Sequence, residues 1–349
     1  LKNMGIGMIS RTVSAPDGSL CSGGFDALRD GVPTEIGWVA DMVTRTILAG
    51  EMRCPSNPAA TSKAVEQMLT TPWVDFDDVT CIDRRGSAPY TNDTGQLVSN
   101  VSRTIIDNQI DPLTPERIEL VNRKMLEQGY NTNFAATWFL VRSEFRLDGG
   151  GDLSPGKPAC ADLDPKGRNV TRGPLTIRLL DSSITSSSTV PLLCDAAVAG
   201  FLSAEVGELI SGSFYATPIV GGPLGARQQI DTDADGLPDA ANPFHMMVPA
   251  FGGSVPREGA TGWLKVWSHD TRQDYRGMAP VHQGTVNVLM ADGSVRALVD
   301  ENNDGFINNG FDSPSGAGPG TTYWTSKEVE AGPLELASYY TLNSKGEQN

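Results

Sequence analysis

Two acidic segments of this sequence have the residue spacing of calcium-binding loops. In the first, Asp231, Asp233 and Asp235 alternate with other residues, then Gly236 follows, and Asp239 comes after it. Ca²⁺ takes about six to eight oxygen ligands, and a glycine lets the chain turn sharply around the ion. Carboxylates crowded so closely also repel one another without a cation. The spacing therefore predicts a structural calcium site in this segment.

The second segment, DENNDGFIN, begins at Asp300. Its candidate ligands are Asp300, Asn302, Asp304, Asn308 and Asp312. Neither segment is a complete EF-hand, because its twelfth position is Asn242 in the first and Phe311 in the second, where an EF-hand has a bidentate Glu. Asp239 and Asp312 are the candidate substitutes. The alternative for both segments is an acidic turn without an ion, since Asp, Asn and Gly form turns readily.

Other signals for enzyme chemistry are weak. The sequence has no Gly-x-Ser-x-Gly elbow, Walker loop, dinucleotide fingerprint or His-Glu-x-x-His motif. Its three histidines are His245, His269 and His282. Paired carboxylates suit glycoside hydrolysis, and the candidates here are Asp75, Asp77 and Asp78. Such a pattern is more commonly an acidic loop. We therefore expect a protein that is not an enzyme.

Residues 281–299, VHQGTVNVLMADGSVRALV, predict a complete β-hairpin. Its two arms alternate, and Asp292-Gly293 between them supports a tight turn. His282 lies at the far end of the first arm, roughly 23 Å from that turn at about 3.3 Å per residue. His282 and Asp292 therefore cannot form a dyad. We expect a buried His282 bonded to neighbouring backbone, with a ligand or base role as the less favoured alternative. The apolar arms predict a hairpin central to its sheet.

Helix caps and hydrophobic periodicity predict the elements around this hairpin. The predicted helices cover residues 1–10, 34–49, 114–129 and 202–210, and the predicted further strands cover 134–145 and 176–180. Thr114 and the following Pro115 mark one helix start, and Gly129 marks its end. Helices early in the chain and antiparallel strands late predict an α+β fold.

Composition and charge narrow the class of protein. The chain has 349 residues, of which 39% are hydrophobic, with 38 Gly and 23 Pro, which predicts a loop-rich globular protein. A net charge of −15 argues against a basic surface for nucleic acid. No stretch approaches the roughly 20 apolar residues of a membrane span.

The five cysteines favour an exported protein. They are Cys21, Cys54, Cys81, Cys160 and Cys194. None forms a Cys-x-x-Cys pair, which argues against zinc ribbons and thioredoxin-like chemistry. Several lie in loops rich in Gly, Pro and Asp, where disulfides of exported proteins occur. The odd number leaves one unpaired, and the connectivity stays open. Three sequons mark candidate glycosylation sites at Asn92, Asn100 and Asn169.

The segment DYRGMAPVHQGTVNVLMADGSVRALV, with nine residues between His282 and Asp292-Gly293, resembles the processing-associated segment of prepilin-type proteins. These are bacterial pilin-like and type II secretion pseudopilin-like proteins. LKNMGIGM resembles the end of their long N-terminal helix, and GWVADMVTRTILAGEMRCPSNPA resembles their next helix with its Cys-Pro-Ser segment. TNFAATWFLVR and TRGPLTIRLLDSS also fit. The apolar N-terminal helix and its processing site are absent from this sequence.

The resemblance implies a pilin-like fold, in which residues 1–10 end an assembly helix and residues 11–349 form a globular head. It implies a non-catalytic structural subunit of an extracellular, cell-surface filament, either pilus-like or a pseudopilus. The expected partner is the same chain, joined through a helix before Leu1 that is also the expected membrane contact. Disulfides and structural Ca²⁺ are expected to stabilise the head. Relatives commonly carry a further Cys just before the LKN segment, which would make six.

The alternative is a secreted, calcium-dependent protein that binds or processes carbohydrate. It would share the acidity and the calcium loops. It would also need a paired-carboxylate cleft or an exposed aromatic platform. The candidate aromatic residues are Trp73, Trp138, Trp263, Trp267 and Trp324.

Overall fold

The computed structural model describes most of the chain. The described residues are all except 46–51, 147–152, 165, 184, 229–244, 248–270, 311–323, 327, 333 and 338–349. Within them, no helix combines the length and the apolar character that crossing a membrane requires.

The α-helices of the described residues are short, and polar caps begin five of them. In chain order they are α1 (Lys2–Ser14), α2 (Trp38–Thr44), α3 (Lys63–Thr70), α4 (Trp73–Asp77), α5 (Val101–Asp107), α6 (Pro115–Val121), α7 (Trp138–Arg142) and α8 (Ile177–Ser182). A π-helical turn (Asn122–Leu126) continues α6. The capping residues are Ser62, Asn100, Thr114, Thr137 and Thr176, and each side chain accepts a backbone N–H of the first turn.

The strands form one main sheet and three smaller ones. They are β1 (Thr61–Ser62), β2 (Tyr90–Thr91), β3 (Leu97–Val98), β4 (Phe134–Thr137), β5 (Pro191–Asp195), β6 (Val198–Phe201), β7 (Phe214–Ala216), β8 (Ile219–Val220), β9 (Gly222–Gln228), β10 (His245–Met247), β11 (Thr271–Asp274), β12 (Thr285–Met290) and β13 (Val295–Val299). The main sheet has the order β13-β12-β5-β4-β8, and only its β4–β8 pair is parallel. The others are β1-β7-β6, β10-β9-β11 and β2-β3. The predicted α+β class is confirmed.

Both faces of the central strands of the main sheet are buried. Successive residues of a strand point to opposite faces, so neighbouring residues of β4, β5 and β12 enter two different apolar clusters. The first face carries Ala136, Leu193 and Leu289, and the second carries Ala135, Cys194 and Val288. Met4 and Met8 of α1 belong to the first cluster. The sheet is therefore the middle layer of the core, and α1 lies on one side of it.

The predicted hairpin is present as β12 and β13, with Gly293 at a φ of 82° in the turn. Its predicted place at the centre of a sheet is correct only for β12, which also pairs with β5. β13 is the edge strand. Leu298 is therefore its buried apolar residue, whereas Val295 and Val299 are 41% and 50% exposed.

One predicted strand is correct only in its first part and two predicted elements are wrong, each for a local reason. Residues 134–145 begin as β4 but continue as α7, because Thr137 caps a helix by accepting the Leu140 N–H. All residues from 134 to 143 are buried, so no polar face reveals the change of period. Residues 176–180 start α8 instead of a strand, since Thr176 is its cap. Residues 202–210 form turns, and Gly207 has a φ of 59°, which an α-helix excludes.

The two helices predicted at 34–49 and 114–129 are observed with shifted bounds. The first is α2, which starts only at Trp38 after Gly37, whose φ is 114°. The second is α6 with its π-helical continuation, and Gly129 follows at a φ of 84°. The N-terminal helix α1 extends past the predicted boundary at residue 10.

Candidate functional site

Helix α1 is apolar on two sides. Met4 and Met8 are buried against the first cluster, and Gly5 lies so close to β12 that an added Cβ would be 2.9 Å from Leu289 Cδ1. On the other side, Ile6, Ile9 and Val13 are 60%, 46% and 89% exposed. We call these three residues the outer face of α1. The helix therefore docks on its own sheet and still presents apolar side chains to the surroundings.

Helix α1 is also held by polar contacts at its C-terminal end. Arg11 Nε lies 3.0 Å from Asp41 Oδ1 of α2. The Arg11 guanidinium also donates to the carbonyl and hydroxyl oxygens of Ser19, at 2.8 and 2.6 Å. These contacts fix the orientation of α1, and with it the direction in which the outer face points.

Among the described residues, the His282 side chain contacts two other side chains instead of the neighbouring backbone that the sequence suggested. Its Nε2 lies 3.3 Å from Cys54 Sγ and 3.3 Å from Asp195 Oδ2. One ligand atom from each of the three residues lies within 4.8 Å of the others. Among the described residues, no other group of three His, Cys, Asp or Glu side chains meets this spacing. We call this group the Cys54–Asp195–His282 cluster.

Each member of the cluster is fixed by its own segment. Asp195 ends β5, and its Oδ2 accepts the N–H of Asn287 in β12 at 2.9 Å. Cys54 is clamped by Asn133, which accepts the Cys54 N–H at 2.6 Å and donates to the Cys54 carbonyl at 2.9 Å. His282 stands in the turn before β12, where its own N–H donates to Thr285 O at 3.1 Å.

The cluster is buried on one side and open on the other. Asp195 is 1% exposed and Cys54 is 6% exposed, whereas the His282 side chain is 33% exposed. Burial raises the pKa of the Cys54 thiol, and the nearby Asp195 carboxylate raises it further. Asp195 Oδ1 is buried and has no hydrogen-bond partner among the described residues. Sequence reasoning offered a ligand role for His282 only as the less favoured alternative and did not connect it with Cys54 or Asp195, because the three residues come from distant segments.

The Asp300 loop is stabilised by its own backbone amides. Asp300 accepts the N–H groups of Asp304 and Gly305 at 3.1 and 2.8 Å. Asn302 Oδ1 accepts the Asp304 N–H, and Asp304 Oδ1 accepts the Phe306 N–H. The structure thus brings three predicted ligands together in one tight turn. Asp312 lies outside the described residues.

Glu330 is a residue of this loop that the sequence did not suggest. Its Oε1 accepts the Glu301 N–H at 2.9 Å, and its Oε2 accepts the Asn308 N–H at 2.8 Å. Burial raises the pKa of Glu330 against the effect of these amides, and the charge of Asp300 adds to the increase. A carboxylate from a later segment therefore closes the loop where the local sequence has no acidic twelfth residue.

The other predicted site residues either lie outside the described residues or take part in local hydrogen bonds and ion pairs. The four candidate ligands of the first acidic segment lie outside the described residues, as does His269. These ligands are Asp231, Asp233, Asp235 and Asp239.

The described candidates have local partners. Asp77 pairs with Arg85 at 2.6 Å. The amide nitrogens of two sequon residues are engaged, since Asn100 donates to Glu35 and Asn169 donates to the Cys160 carbonyl. Asn92 Oδ1 accepts three bonds within its own turn. Asp292 accepts from Ser294.

The cysteines form one disulfide, Cys81–Cys160. Cys21, Cys54 and Cys194 are buried free thiols. The prediction that one cysteine stays unpaired is therefore wrong, because a single disulfide leaves three free thiols.

The tryptophans that the described residues contain offer no exposed aromatic platform. Trp138 and Trp324 are fully buried, and Trp73 is partly buried against the core. Trp263 and Trp267 lie outside the described residues. The tryptophans of the described part therefore do not support the alternative of a carbohydrate-binding protein.

Comparison with known proteins found a family model that matches part of the chain. Residues 226–305 match the model of a family described as a protein of unknown function, DUF1559. This family is associated with prepilin-like and pseudopilin-like proteins. The matched segment includes His282, β12 and β13, and the first part of the Asp300 loop. No curated protein and no solved structure matches the chain.

Proposed function

We propose that this chain is the head of a structural subunit of an extracellular, pilus-like or pseudopilus filament. The family match over residues 226–305 and the prepilin-type segments of the sequence support this class of protein. The chain acts by assembly with further copies of itself rather than by catalysis.

The observation that carries the proposal is the two-sided helix α1. A filament subunit needs a helix that is fixed to its own head and also contacts neighbouring subunits. Met4, Gly5 and Met8 provide the first contact. The outer face of α1 provides the second, because burying apolar area against another copy releases about 25 cal/mol per Å².

Crosslinking on intact cells tests this assembly. Ile6→Cys is introduced into the encoded full-length protein in its host, and a bifunctional thiol reagent is added. We expect crosslinked dimers, because Ile6 would face a neighbouring subunit and each subunit contributes one reactive thiol. Leu97→Cys is the matched control, since Leu97 is 73% exposed on the separate β2–β3 hairpin. The proposal fails if both variants remain monomeric to the same extent.

We also propose that structural Ca²⁺ occupies the Asp300 loop and the Asp231 loop. Alternating oxygen side chains supply hard ligands in both. In the Asp300 loop, Glu330 adds a carboxylate whose raised pKa a nearby cation would lower.

Calcium binding should raise the thermal stability of the chelator-treated protein. At a free Ca²⁺ concentration of 100 Kd, each site adds about 2.7 kcal/mol to the free energy of unfolding. Asp304→Asn should remove the part due to its loop, and Asp233→Asn the part due to the other. Asp93→Asn, at an exposed acid of the β2–β3 turn, should change nothing. Calorimetry without binding heat, together with an unchanged Tm, would contradict both sites.

A further inference from the structure

We propose that Cys54, Asp195 and His282 form a binding site for a divalent transition-metal ion of the Zn²⁺ type. Its three residues are not among the ligands proposed for calcium, and the site does not depend on the filament assignment. A thiolate, an imidazole and a carboxylate together suit Zn²⁺ and related ions, whereas Ca²⁺ and Mg²⁺ select oxygen ligands.

The distances within the cluster match the edges of a tetrahedral zinc site. With bonds of about 2.3 Å to sulfur and about 2.0–2.1 Å to nitrogen and oxygen, the S···N edge is about 3.6 Å and the N···O edge about 3.4 Å. The observed Cys54 Sγ to His282 Nε2 and His282 Nε2 to Asp195 Oδ2 distances are both 3.3 Å. The third pair, Cys54 Sγ and the Asp195 ligand oxygen, lies within 4.8 Å, so one ion can contact all three atoms once the side chains adjust around it.

Without a metal, the Cys54 thiol and the His282 N–H can each donate to the Asp195 carboxylate. A metal ion would replace both protons, because all three atoms then direct lone pairs at one cation.

The buried carboxylate is a second, independent observation. Asp195 is 1% exposed, yet its Oδ1 has no hydrogen-bond partner among the described residues. A buried carboxylate oxygen without a hydrogen-bond partner is costly, and a cation bound at the carboxylate compensates this cost. The one-third exposure of His282 leaves the fourth coordination position accessible to water, as in zinc sites with three protein ligands.

Such an ion would join three parts of the fold. Cys54 comes from the segment between α2 and β1, Asp195 from the end of β5, and His282 from the turn that leads into β12. Asn133 accepts the Cys54 N–H, and the Asn287 N–H donates to Asp195, so both ligands are held in position. These are the outer contacts that orient metal ligands in proteins.

Cobalt substitution and zinc titration test the site on the encoded full-length protein, prepared without a His tag. After chelator treatment and dialysis, Co²⁺ should produce a thiolate-to-metal absorption band in the near ultraviolet and visible bands typical of tetrahedral Co²⁺. Zn²⁺ should then displace it. Cys54→Ser should abolish the thiolate band. His282→Gln, at a partly exposed position that tolerates change, should weaken Zn²⁺ binding by at least about 100-fold, because replacing an outer-shell partner already costs about 10–100-fold.

The control is Cys21→Ala, which removes a buried thiol outside the cluster. It should keep both the band and the affinity, and circular dichroism should show that each variant is folded. A thiolate band that survives Cys54→Ser, or folded wild-type protein that gives no band, would overturn the proposal. Peptide mapping under non-reducing conditions that finds Cys54 in a disulfide would overturn it as well.

Discussion

Replacing Cys81 and Cys160 together with Ala is expected to lower the free energy of unfolding by about 4.5 kcal/mol. The disulfide joins positions 79 residues apart, so it removes much of the conformational freedom of the unfolded chain. Both residues lie outside regular helices and strands, so no adjoining secondary structure replaces the crosslink. The large loop makes this one of the two strongest single contributions that we expect.

Urea denaturation of the wild-type protein and of the Cys81→Ala/Cys160→Ala variant measures this loss. The reductant provides an internal control, because it should destabilise the wild-type protein and leave the double variant unchanged. A double variant within about 1 kcal/mol of the wild type, in the absence of reductant, would show that the disulfide does not stabilise the fold in this way.

Arg142→Met is expected to cost about 3–5 kcal/mol. Arg142 at the end of α7 forms a bidentate pair with Asp30, with both N···O distances 2.7 Å. The two side chains are 0% and 1% exposed. Removing the guanidinium leaves the Asp30 carboxylate buried without its main partner, which is the costly event. Arg29→Met is the matched control, because its pair with Asp164 is 42% and 36% exposed and should contribute less than about 1 kcal/mol.

The same pair predicts a change in the pH dependence of stability. Burial alone would raise the pKa of Asp30, but the charge and hydrogen bonds of Arg142 outweigh it and hold this pKa below its ordinary value. Its ionisation therefore stabilises the wild-type fold above the unfolded pKa of about 3.9, and this stability is lost as the pH falls through the folded pKa. In Arg142→Met, burial dominates, so the deficit relative to wild type should shrink as the pH is lowered. A deficit that stays constant down to acid pH would contradict this explanation.

The parts of the fold that sequence predicts are those set by neighbouring residues. Thr114 with Pro115 determines where α6 begins, and Asp292-Gly293 determines where β12 turns into β13. The alternation of apolar residues also marks β12 correctly. The edge position of β13 could not be predicted, because it depends on which strands pair with the hairpin and not on the hairpin itself.

Burial on all sides explains why the change from β4 to α7 was not predicted. The segment that contains β4 and α7 has no polar face, so its sequence does not distinguish a strand of period two from a helix of period 3.6. Only the Thr137 cap marks the transition, and a single Thr inside an apolar run is a weak signal.

The two candidate sites differ in how far apart their residues lie in the sequence. The Asp300 loop is local, and its alternation of Asp and Asn predicts its turn. Glu330 reaches that loop only through the tertiary fold. Cys54 and His282 are 228 residues apart, so no spacing rule connects them. The end of β5, PLLCD, carries the one local hint, since an Asp that ends a buried strand needs a partner.

Electron microscopy of host cells tests the filament assignment most directly. An antibody raised against the head, coupled to gold, is applied to intact cells, and to cells lacking the gene as the control. The account predicts gold along thin surface filaments that disappear with the gene. Gold that is confined to unassembled protein in the medium, with filaments absent or unlabelled on the cells, would contradict it.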